Sequence, residues 1–184
     1  MEEKVCPVWV GYILLSPGRK WFENPKKLLS PYISEGMTAL DVGSAMGFFS
    51  LPMAKMVGKS GKVICVDVQE KMVQKLAKRA RRAGLSDVIE TRVCPYNTLG
   101  LDDLKEKVDF VLAYAVVHEM PDAANFFAEI FDVLKSGGKV FFAEPKGHVS
   151  NEDFEATLAI AEEKGFSIVK KWEIRKSQVA LLQK

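Results

Sequence analysis

The chain has 184 residues, a length that fits one domain with a sizeable core, and its apolar and charged fractions of 48% and 27% are those of a globular protein. A net charge of +2 does not require a polyanionic partner. The longest apolar run, Val5–Leu15, is too short to span a bilayer and contains Pro7 and Gly11. The N-terminus is acidic and the three cysteines form no CxxC pair, which predicts a cytoplasmic chain with reduced thiols.

The first 36 residues precede a repeating pattern and are predicted to form an N-terminal helical cap. The apolar, aromatic run Val5–Leu15 favours a segment packed on the domain, with a lid over a site as the alternative. Asn24 and Pro25 are typical of a helix start, and the Glu35-Gly36 pair is predicted to close that helix. This cap and a core formed by residues 37–184 are predicted to make up a single domain, 1–184.

From residue 37 onwards, apolar runs alternate with helical patterns. The predicted strands of this part are Thr38–Val42, Val63–Val68, Ile89–Val93, Val108–Val116 and Lys139–Glu144. The predicted helices are 48–57, 70–83, 122–135 and 151–164. Asp122 is the expected N-cap of the third of these helices, and Gly137-Gly138 its stop. The alternation predicts a parallel sheet with helices on both faces.

The end of the chain departs from this alternation. Two strand-like runs, 167–173 and 178–183, are separated by only four residues, which leaves no room for a helix. They are predicted to form an antiparallel hairpin that is added to the sheet.

The stretch 38–55 combines a strand, a glycine turn and a helix. Small residues at alternate positions (Gly43, Ala45 and Gly47) allow a backbone to approach a ligand closely and aim the helix N-terminus at it. Asp41 lies near the end of the first strand, and Asp67 ends the second, where an acid is suited to binding the two hydroxyls of a ribose. The alternatives are a turn that only packs tightly and an acid that only meets solvent.

Two nucleoside ligands fit this arrangement. A nicotinamide dinucleotide requires G-x-G-x-x-G, whereas Gly47 is followed by Phe48-Phe49-Ser50, with no third glycine at the required place. S-adenosylmethionine has no phosphate and carries a sulfonium and an amino-acid tail, which suit a shorter loop beside an acid. The pattern therefore favours S-adenosylmethionine.

At these positions the chain resembles the class I S-adenosylmethionine-dependent methyltransferases. Residues 40–47, LDVGSAMG, match the family's glycine motif, usually LDxGxGxG, and Val66-Asp67 matches its ribose-binding acid. Residues 108–122 resemble the fourth-strand motif of the branch that contains the quinone-biosynthesis C-methyltransferases, and 134–140 match the loop before the fifth strand. The resemblance covers about residues 20–184 and implies an α/β fold. That fold is a Rossmann-like three-layer sandwich whose seven-stranded, mostly parallel sheet has a C-terminal antiparallel hairpin.

The resemblance also implies roles for individual residues. Asp41 and the glycine turn are expected to hold the methionine moiety and Asp67 the ribose, while Val68 packs on adenine and Ala113, which ends the fourth strand, offers its carbonyl to the ammonium group. The residues assigned to the cofactor are Asp41, Gly43, Ser44, Ala45, Gly47, Asp67, Val68, Asn97 and Ala113.

Two departures from the family pattern bear on these roles. Ala45 replaces the usual central glycine, and weakened or shifted binding is expected from it at most. The adenine-contacting acid usually found after the third strand is absent, and Asn97 is its candidate replacement.

The only two histidines of the chain are the catalytic candidates. His118 follows the fourth strand and His148 the fifth, which are expected to be neighbours, with Glu119 and Glu144 nearby. Three interpretations stay open: two structural residues, a general base, or a metal pair, in that order of preference. No metal is assigned.

The predicted helix 70–83 is strongly basic. Its basic residues are Lys71, Lys75, Lys78, Arg79, Arg81 and Arg82. A solvated face is favoured, with Met72, Leu76, Ala80 and Ala83 turned inward, and a nucleic-acid contact is the alternative.

Together these features predict methyl transfer from S-adenosylmethionine to a small-molecule acceptor, of apolar or aromatic character, with no nucleic-acid partner and no membrane span. Aromatic residues of the N-terminal segment are expected to close the pocket: Trp9, Tyr12, Trp21 and Phe22. Two alternatives remain: an RNA methyltransferase that uses the basic helix 71–82, and a non-catalytic module that binds S-adenosylmethionine. The sequence does not give the acceptor or the oligomeric state.

Overall fold

The structure of the chain is a computed structural model that describes residues 24–184. The predictions for the apolar run Val5–Leu15 and for the aromatic residues expected to close the pocket lie outside these residues. Across 24–184, none of the helices combines the length and the apolar character that a membrane crossing requires.

Strands and helices alternate along the described chain. The strands are β1 (Thr38–Val42), β2 (Lys62–Asp67), β3 (Ile89–Val93), β4 (Val108–Tyr114), β5 (Leu134–Pro145), β6 (Ser167–Ile174) and β7 (Ser177–Gln183). The helices are α1 (Pro25–Leu29), α2 (Ser50–Val57), α3 (Glu70–Arg82), α4 (Ala123–Val133) and α5 (Asn151–Glu163). Two 3₁₀ turns cover Asp102–Leu104 and Val117–Glu119.

The strands form one seven-stranded sheet in the order β3-β2-β1-β4-β5-β7-β6. β1 and β2, β2 and β3, and β4 and β5 pair in parallel, whereas β7 is antiparallel to both β5 and β6. The predicted fold class, an α/β Rossmann-like sheet that ends in an antiparallel hairpin, is confirmed. The chain divides into two compact units, one ending at Val93 and the other Cys94–Lys184.

In the first unit, α3 lies against the sheet through one apolar face. Its buried residues are Met72, Val73, Leu76 and Ala80, which recur at helical spacing, and most of its basic side chains are exposed. The predicted inward position of Ala83 is wrong, because α3 ends at Arg82 and Ala83 is an exposed cap before Gly84 turns the chain at φ 67°.

In the second unit, the core is built from phenylalanines. Phe142 of β5 stacks on Phe154 of α5 with ring centroids 5.1 Å apart, and Phe127 of α4 meets Phe142 edge-on at 5.8 Å. Ser150 caps α5 by accepting a hydrogen bond from the backbone N–H of Asp153 at 3.0 Å. These contacts hold α4 and α5 against β5, from which the candidate residue Glu144 projects.

Several predicted element boundaries are wrong, and three of them have a clear local reason. α1 ends at Leu29 rather than near Gly36, because Pro31 has no backbone N–H with which to continue the helical hydrogen bonds. β4 ends at Tyr114 rather than Val116, because Ala115 takes a left-handed φ of 56°.

The third wrong boundary is the end of α4, which stops at Val133 and passes directly into β5 at Leu134. Gly137 and Gly138 therefore lie inside the strand and do not stop the helix. A Cβ on Gly138 would stand 2.8 Å from the Leu134 side chain and 2.9 Å from the Lys135 carbonyl, so this glycine permits close packing at the start of β5.

The terminal hairpin places β6 at the end of the sheet. The pairing of β6 with β7 shifts register between Ile168 and Lys170, and Val169, which lies at this bulge, is 51% exposed. Lys170 and Lys171 next to it are exposed as well.

Candidate active site

The glycine turn after β1 has an unusual backbone. Gly43, Ala45 and Gly47 all adopt positive φ angles, of 67°, 46° and 81°. The turn extends two residues further than predicted, since α2 begins at Ser50 rather than Phe48. Ala45, which stands where the family usually has a glycine, thus adopts a left-handed conformation. A glycine would adopt this conformation freely, whereas the Cβ of alanine makes it sterically unfavourable.

Two hydrogen bonds tie this turn to the end of β2. The backbone N–H of Ser44 donates to the carbonyl of Val66 at 3.0 Å, and that of Ala45 donates to the Asp67 carboxylate at 2.8 Å. The other oxygen of Asp67 accepts from the backbone N–H of Gln69, also at 2.8 Å. Asp67 thus fixes the shape of the turn and of the chain that follows β2.

Asp67 is only 8% exposed, and burial raises the pKa of its carboxyl, although the backbone hydrogen bonds from Gln69 and Ala45 oppose the shift. Each carboxylate oxygen of Asp67 can accept a second hydrogen bond, so these contacts leave acceptor capacity for a ligand hydroxyl. The ribose-binding role of Asp67 stays a prediction.

Gly47 permits the closest approach in the turn. A Cβ at this position would lie 2.2 Å from Cδ1 of Leu76 on α3 and 2.7 Å from Cδ1 of Leu51 on α2. The glycine lets both helices pack directly on the turn backbone. This close packing is the structural role that the sequence left as an alternative, and the ligand-binding role of the turn stays a prediction.

Ser44 supplies the observation that tests whether this turn fits a ligand. Ser44 is 5% exposed, and its hydroxyl oxygen is buried with no hydrogen-bond partner among the described residues. Buried hydroxyls are normally partnered, because an unmade hydrogen bond costs about 1–3 kcal/mol. A hydroxyl of this kind, in a turn whose backbone has three positive φ angles, fits a bound polar group such as the amino-acid tail of a nucleoside cofactor.

Asp41 lies in the interior of the first unit. It is 3% exposed, and its carboxylate accepts a hydrogen bond of 2.5 Å from the hydroxyl of Ser50, the first residue of α2. Burial raises the pKa of Asp41 to about 7; the Ser50 hydroxyl opposes this shift, and the nearby charge of Asp67 adds to it. The structure thus gives Asp41 an anchoring contact with α2, and its contact with a ligand stays a prediction.

Arg79 ties α3 to the turn. Its guanidinium donates a hydrogen bond to the backbone carbonyl of Met46, and partial burial lowers the pKa of the arginine. The sequence predicts that Arg79 lies on the solvated basic face of the helix. That prediction is wrong, since Arg79 is half-buried and donates a hydrogen bond to the turn.

In the second unit, the end of β4 carries one of the two remaining cofactor candidates. Ala113 is fully buried, pairs in register with Phe142 of β5, and lies one residue before the end of the strand at Tyr114. The backbone N–H of Ala115 then donates to the Ala143 carbonyl at 2.7 Å. This bond turns the chain into the 3₁₀ segment Val117–Glu119.

Asn97 lies in a loop that is anchored to α4. Glu129 accepts hydrogen bonds from the Thr98 hydroxyl at 3.1 Å and from the backbone N–H of Leu99 at 2.8 Å. Asn125 donates to the Asn97 carbonyl at 3.2 Å and to Glu129 at 2.8 Å. The side chain of Asn97 is exposed, and its contact with adenine stays a prediction.

The structure brings the two histidines together, as the sequence predicts for residues that follow neighbouring strands. Nε2 of His118 lies 3.4 Å from Nδ1 of His148, and the ring centroids are 5.4 Å apart. Nδ1 of His118 lies 2.6 Å from the carboxylate of Glu144, a residue that is 1% exposed. This hydrogen bond raises the pKa of His118, burial opposes the shift, and the charges of Glu144 and Glu119 add to it. Within residues 24–184, no three side chains of His, Cys, Asp or Glu are grouped to hold a metal ion.

Comparison with known proteins identifies the family. The sequence matches the methyltransferase domain family over residues 33–179. A solved S-adenosylmethionine-dependent methyltransferase from Aquifex aeolicus is 27% identical, with a TM-score of 0.86 over 97% of this chain and 99% of that one. The chain belongs to the class I S-adenosylmethionine-dependent methyltransferases. The comparisons accordingly assign S-adenosylmethionine as the cofactor of this methyltransferase.

Curated relatives extend the comparison. An arsenite methyltransferase from Halobacterium salinarum is 31% identical over 66% of this chain and 30% of its own length. A demethylmenaquinone methyltransferase from Lactobacillus johnsonii is 31% identical over 68% of this chain and 48% of its own length. The present methyltransferase spans about a third to a half of the length of these curated relatives.

The sequence pattern did not reveal three residues that hold the candidate site in place, and it named a fourth, Glu144, only as lying near the histidines. Ser50 and Arg79 anchor the turn, Glu129 anchors the loop of Asn97, and Glu144 binds His118. Only Glu144 carried a usable signal, because it ends a buried strand beside the strand that precedes His118.

Proposed function

We propose that this methyltransferase transfers the methyl group of S-adenosylmethionine to a small-molecule acceptor. The single observation that carries the proposal is the buried hydroxyl of Ser44, which has no partner among the described residues and lies in the turn that matches the family's glycine motif. When bound, the cofactor supplies a methyl group on a sulfonium, which is already a good leaving group. The protein then has mainly to position and align the acceptor.

The first unit contributes the residues proposed to hold the cofactor. Ser44 and the positive-φ turn bind its amino-acid tail, Asp67 accepts from the ribose hydroxyls, and Val68, which is half-buried, packs on adenine. From the second unit, Asn97 and the carbonyl of Ala113 complete the proposed set. The preformed hydrogen bonds of Asp67 support its part, because they fix the carboxylate before any ligand binds.

The histidines are the proposed catalytic residues. His118 and His148 lie within 3.4 Å of each other, and one of them contacts a buried carboxylate, which is the usual arrangement of an oriented general base. A purely structural pair remains the alternative. If His118→Ala and His148→Ala both kept full turnover, the catalytic role would be lost.

The relatives support a small-molecule acceptor. The proteins from Halobacterium salinarum and Lactobacillus johnsonii are named for arsenite and demethylmenaquinone, and both names denote small molecules. We extend only that class to this chain. A panel of quinols, phenols, thiols and arsenite, tested with radiolabelled cofactor, would identify the acceptor.

Calorimetry with S-adenosylmethionine, S-adenosylhomocysteine and NAD tests the cofactor half of the proposal. We expect binding of both sulfur nucleosides, weakened about 3- to 10-fold by Ser44→Ala, since one net hydrogen bond is worth about 1 kcal/mol. Ser60→Ala removes an exposed serine of the same unit and should leave binding unchanged. Binding of NAD alone would contradict the proposal.

The basic helix α3 provides the test of the nucleic-acid alternative. A salt-dependent gel shift with RNA, abolished when Lys71, Lys75 and Lys78 are neutralised, would favour that alternative over a small-molecule acceptor.

A further inference from the structure

Glu144 uses both of its carboxylate oxygens on one residue. One oxygen accepts from the backbone N–H of His118 at 3.1 Å, and the other lies 2.6 Å from ring Nδ1 of the same histidine. The carboxylate is 1% exposed, so water does not compete for these contacts. The backbone and the ring of His118 are therefore held together from one point at the end of β5.

This geometry requires a carboxylate and selects one tautomer. An ionised carboxylate has no proton to donate, so the short contact requires that Nδ1 of His118 carries the hydrogen. The backbone N–H is a second donor that faces the same group. A carboxylate can accept hydrogen bonds from both of these donors. An amide at position 144 has one oxygen acceptor and one NH₂ donor, so it could bond to both groups only if the ring proton left Nδ1. The neutral His118 ring consequently keeps its lone pair on Nε2.

His148 continues the chain of contacts towards solvent. Its Nδ1 lies 3.4 Å from Nε2 of His118, with the two rings inclined at 76°. The contact is long for a hydrogen bond, as such contacts often are before a substrate binds. Exposure rises along the series, from 1% for Glu144 to 20% for the His118 side chain, and His148 is exposed.

We propose that Glu144, His118 and His148 form a proton relay, in which Glu144 positions His118 and Nε2 of His148 takes a proton from the methyl acceptor. The inference rests on the proposed function and deepens it. It assigns an acceptor whose nucleophilic atom carries a proton, such as a phenolic hydroxyl or a thiol. Lone-pair nucleophiles that lose no proton would have no use for the relay.

The proton balance of the relay is simple. In the resting form, His148 donates its Nδ1–H to Nε2 of His118, and its own Nε2 is unprotonated. The acceptor–hydrogen bond breaks, its electron pair stays on the acceptor atom, and the proton goes to Nε2 of His148. The Nδ1 proton of His148 then passes to His118, and the positive charge comes to rest beside the carboxylate of Glu144.

The charges around His118 favour that final state. Glu144 and Glu119 both raise the pKa of His118, and Glu144 has the larger effect. The nearest lysine along the chain from Glu144, Lys146, pairs with Glu173 at 2.6 Å. The relay should therefore accept a proton only above the raised pKa of His118, and turnover should increase with pH through that value.

Nitrogen-15 NMR of the histidine rings tests the relay in the protein without cofactor. In the wild type, we expect a protonated Nδ1 and an unprotonated Nε2 on neutral His118. Glu144→Gln presents an acceptor to the backbone N–H and a donor to the ring, so the proton should move to Nε2 and the pKa of His118 should fall. Glu119→Gln is the matched control, since it removes a nearby charge and should lower the same pKa without changing the tautomer.

The relay also links the two rings. Substituting His118→Gln should change the nitrogen-15 chemical shift of Nδ1 of His148, because the relay has this nitrogen donate its hydrogen to Nε2 of His118. A wild-type His118 protonated on Nε2, an unchanged tautomer in Glu144→Gln, or an unaffected His148 would each overturn the proposal.

The tautomer measurement needs neither cofactor nor acceptor, so it separates failure of the relay from failure of the proposed function. For an acceptor that the panel identifies, Glu144→Gln should lower kcat by about 100-fold or more and leave the Kd of S-adenosylmethionine unchanged. A merely structural Glu144 would instead reduce stability without altering the dependence of kcat on pH.

Discussion

The carboxylate of Asp67 binds the backbone N–H of Ala45 at 2.8 Å, across 22 positions of sequence. The ribose-binding candidate thus also holds the glycine turn in shape. As a result, Asp67→Ala would disturb the turn as well as remove a ligand contact, and loss of cofactor binding in that variant would have two causes. Ser44→Ala is the cleaner probe, because the Ser44 hydroxyl has no hydrogen-bond partner within the described residues.

Ala45→Gly should raise the free energy of unfolding by up to about 1 kcal/mol. Ala45 has a left-handed φ of 46°, which costs an alanine about 1–2 kcal/mol, and part of the relief is offset by the greater entropy of glycine in the unfolded chain. Urea denaturation measures the change. Ala77→Gly, in the middle of α3, is the control and should lower stability by about 1 kcal/mol. A loss of stability in Ala45→Gly would show that Ala45 is not strained.

Gly47→Ala should destabilise the first unit by several kcal/mol. The added Cβ meets Leu76 and Leu51 at 2.2 and 2.7 Å, so overpacking of about 1–3 kcal/mol adds to left-handed strain of about 1–2 kcal/mol. Thermal denaturation, with calorimetry for the cofactor, measures the effect.

Two other glycines separate the contributions to the Gly47→Ala effect. Gly84→Ala should show the cost of the left-handed backbone alone, because Gly84 has a φ of 67° and nothing lies within 4 Å of the new Cβ. Gly147→Ala has open space and no positive φ, and should be close to neutral. Equal effects at 47 and 84 would mean that the two leucines simply move aside.

Asp41→Asn should abolish part of the pH dependence of stability. The pKa of Asp41 is about 7 in the folded protein, against an ordinary value of 3.8, so its neutral form is the one that folding favours. The stability that neutral Asp41 contributes is fully present below pH 3.8 and is lost as the pH rises to about 7. Since each unit of pKa shift corresponds to about 1.36 kcal/mol, the free energy of unfolding should fall by roughly 4 kcal/mol over this range. At pH 8 the variant should be more stable than the wild type.

Denaturant unfolding from pH 4 to pH 8 checks the Asp41 prediction. Ser50→Ala is the companion variant: it removes the hydroxyl that lowers the pKa of folded Asp41, so the loss of stability should begin at the same pH and continue to a higher pH. A wild-type curve without this slope would mean that Asp41 stays ionised throughout the range.

Glu129→Ala should loosen the loop that carries Asn97. The carboxylate accepts from the Leu99 amide at 2.8 Å and from the Thr98 hydroxyl, so its removal frees both donors. Amide hydrogen exchange should accelerate at Leu99 and remain slow in β4. Asp132→Ala, an exposed acid on the same helix, is the control and should leave Leu99 protected. Unchanged exchange in Glu129→Ala would show that the loop is held by its own apolar contacts.

The sequence predicted the sheet well because most of its strands are near-continuous apolar runs that alternate with helical patterns. Thr38–Val42 matches the predicted strand in full, as does the more polar Ile89–Val93. Asp122 is the N-cap of α4 as expected, with its side chain accepting from the Asn125 amide. The end of α4 could not be found in the same way. A strand follows α4 directly, and the two glycines that usually stop a helix serve packing instead.

The sequence predicted candidate residues for the site but not the contacts between them. A strand-end acid and a glycine turn can be read from the pattern, since both belong to fixed positions of the fold. The bond from Ala45 to Asp67 could not, because a backbone N–H leaves no trace in the sequence. The same holds for Arg79, whose assignment to a solvated face was reasonable from composition and is corrected by one contact with Met46.

The bulge in β6 has a consequence for the protein at high concentration. A flat strand at the end of a sheet offers its backbone groups to any strand of another molecule, which is a common start of aggregation. Here the irregularity around Val169, followed by Lys170 and Lys171, breaks the regular spacing of those groups and adds charge beside it. Molecules of this methyltransferase should therefore resist pairing with each other along β6, so the protein should stay dispersed although its sheet is largely apolar.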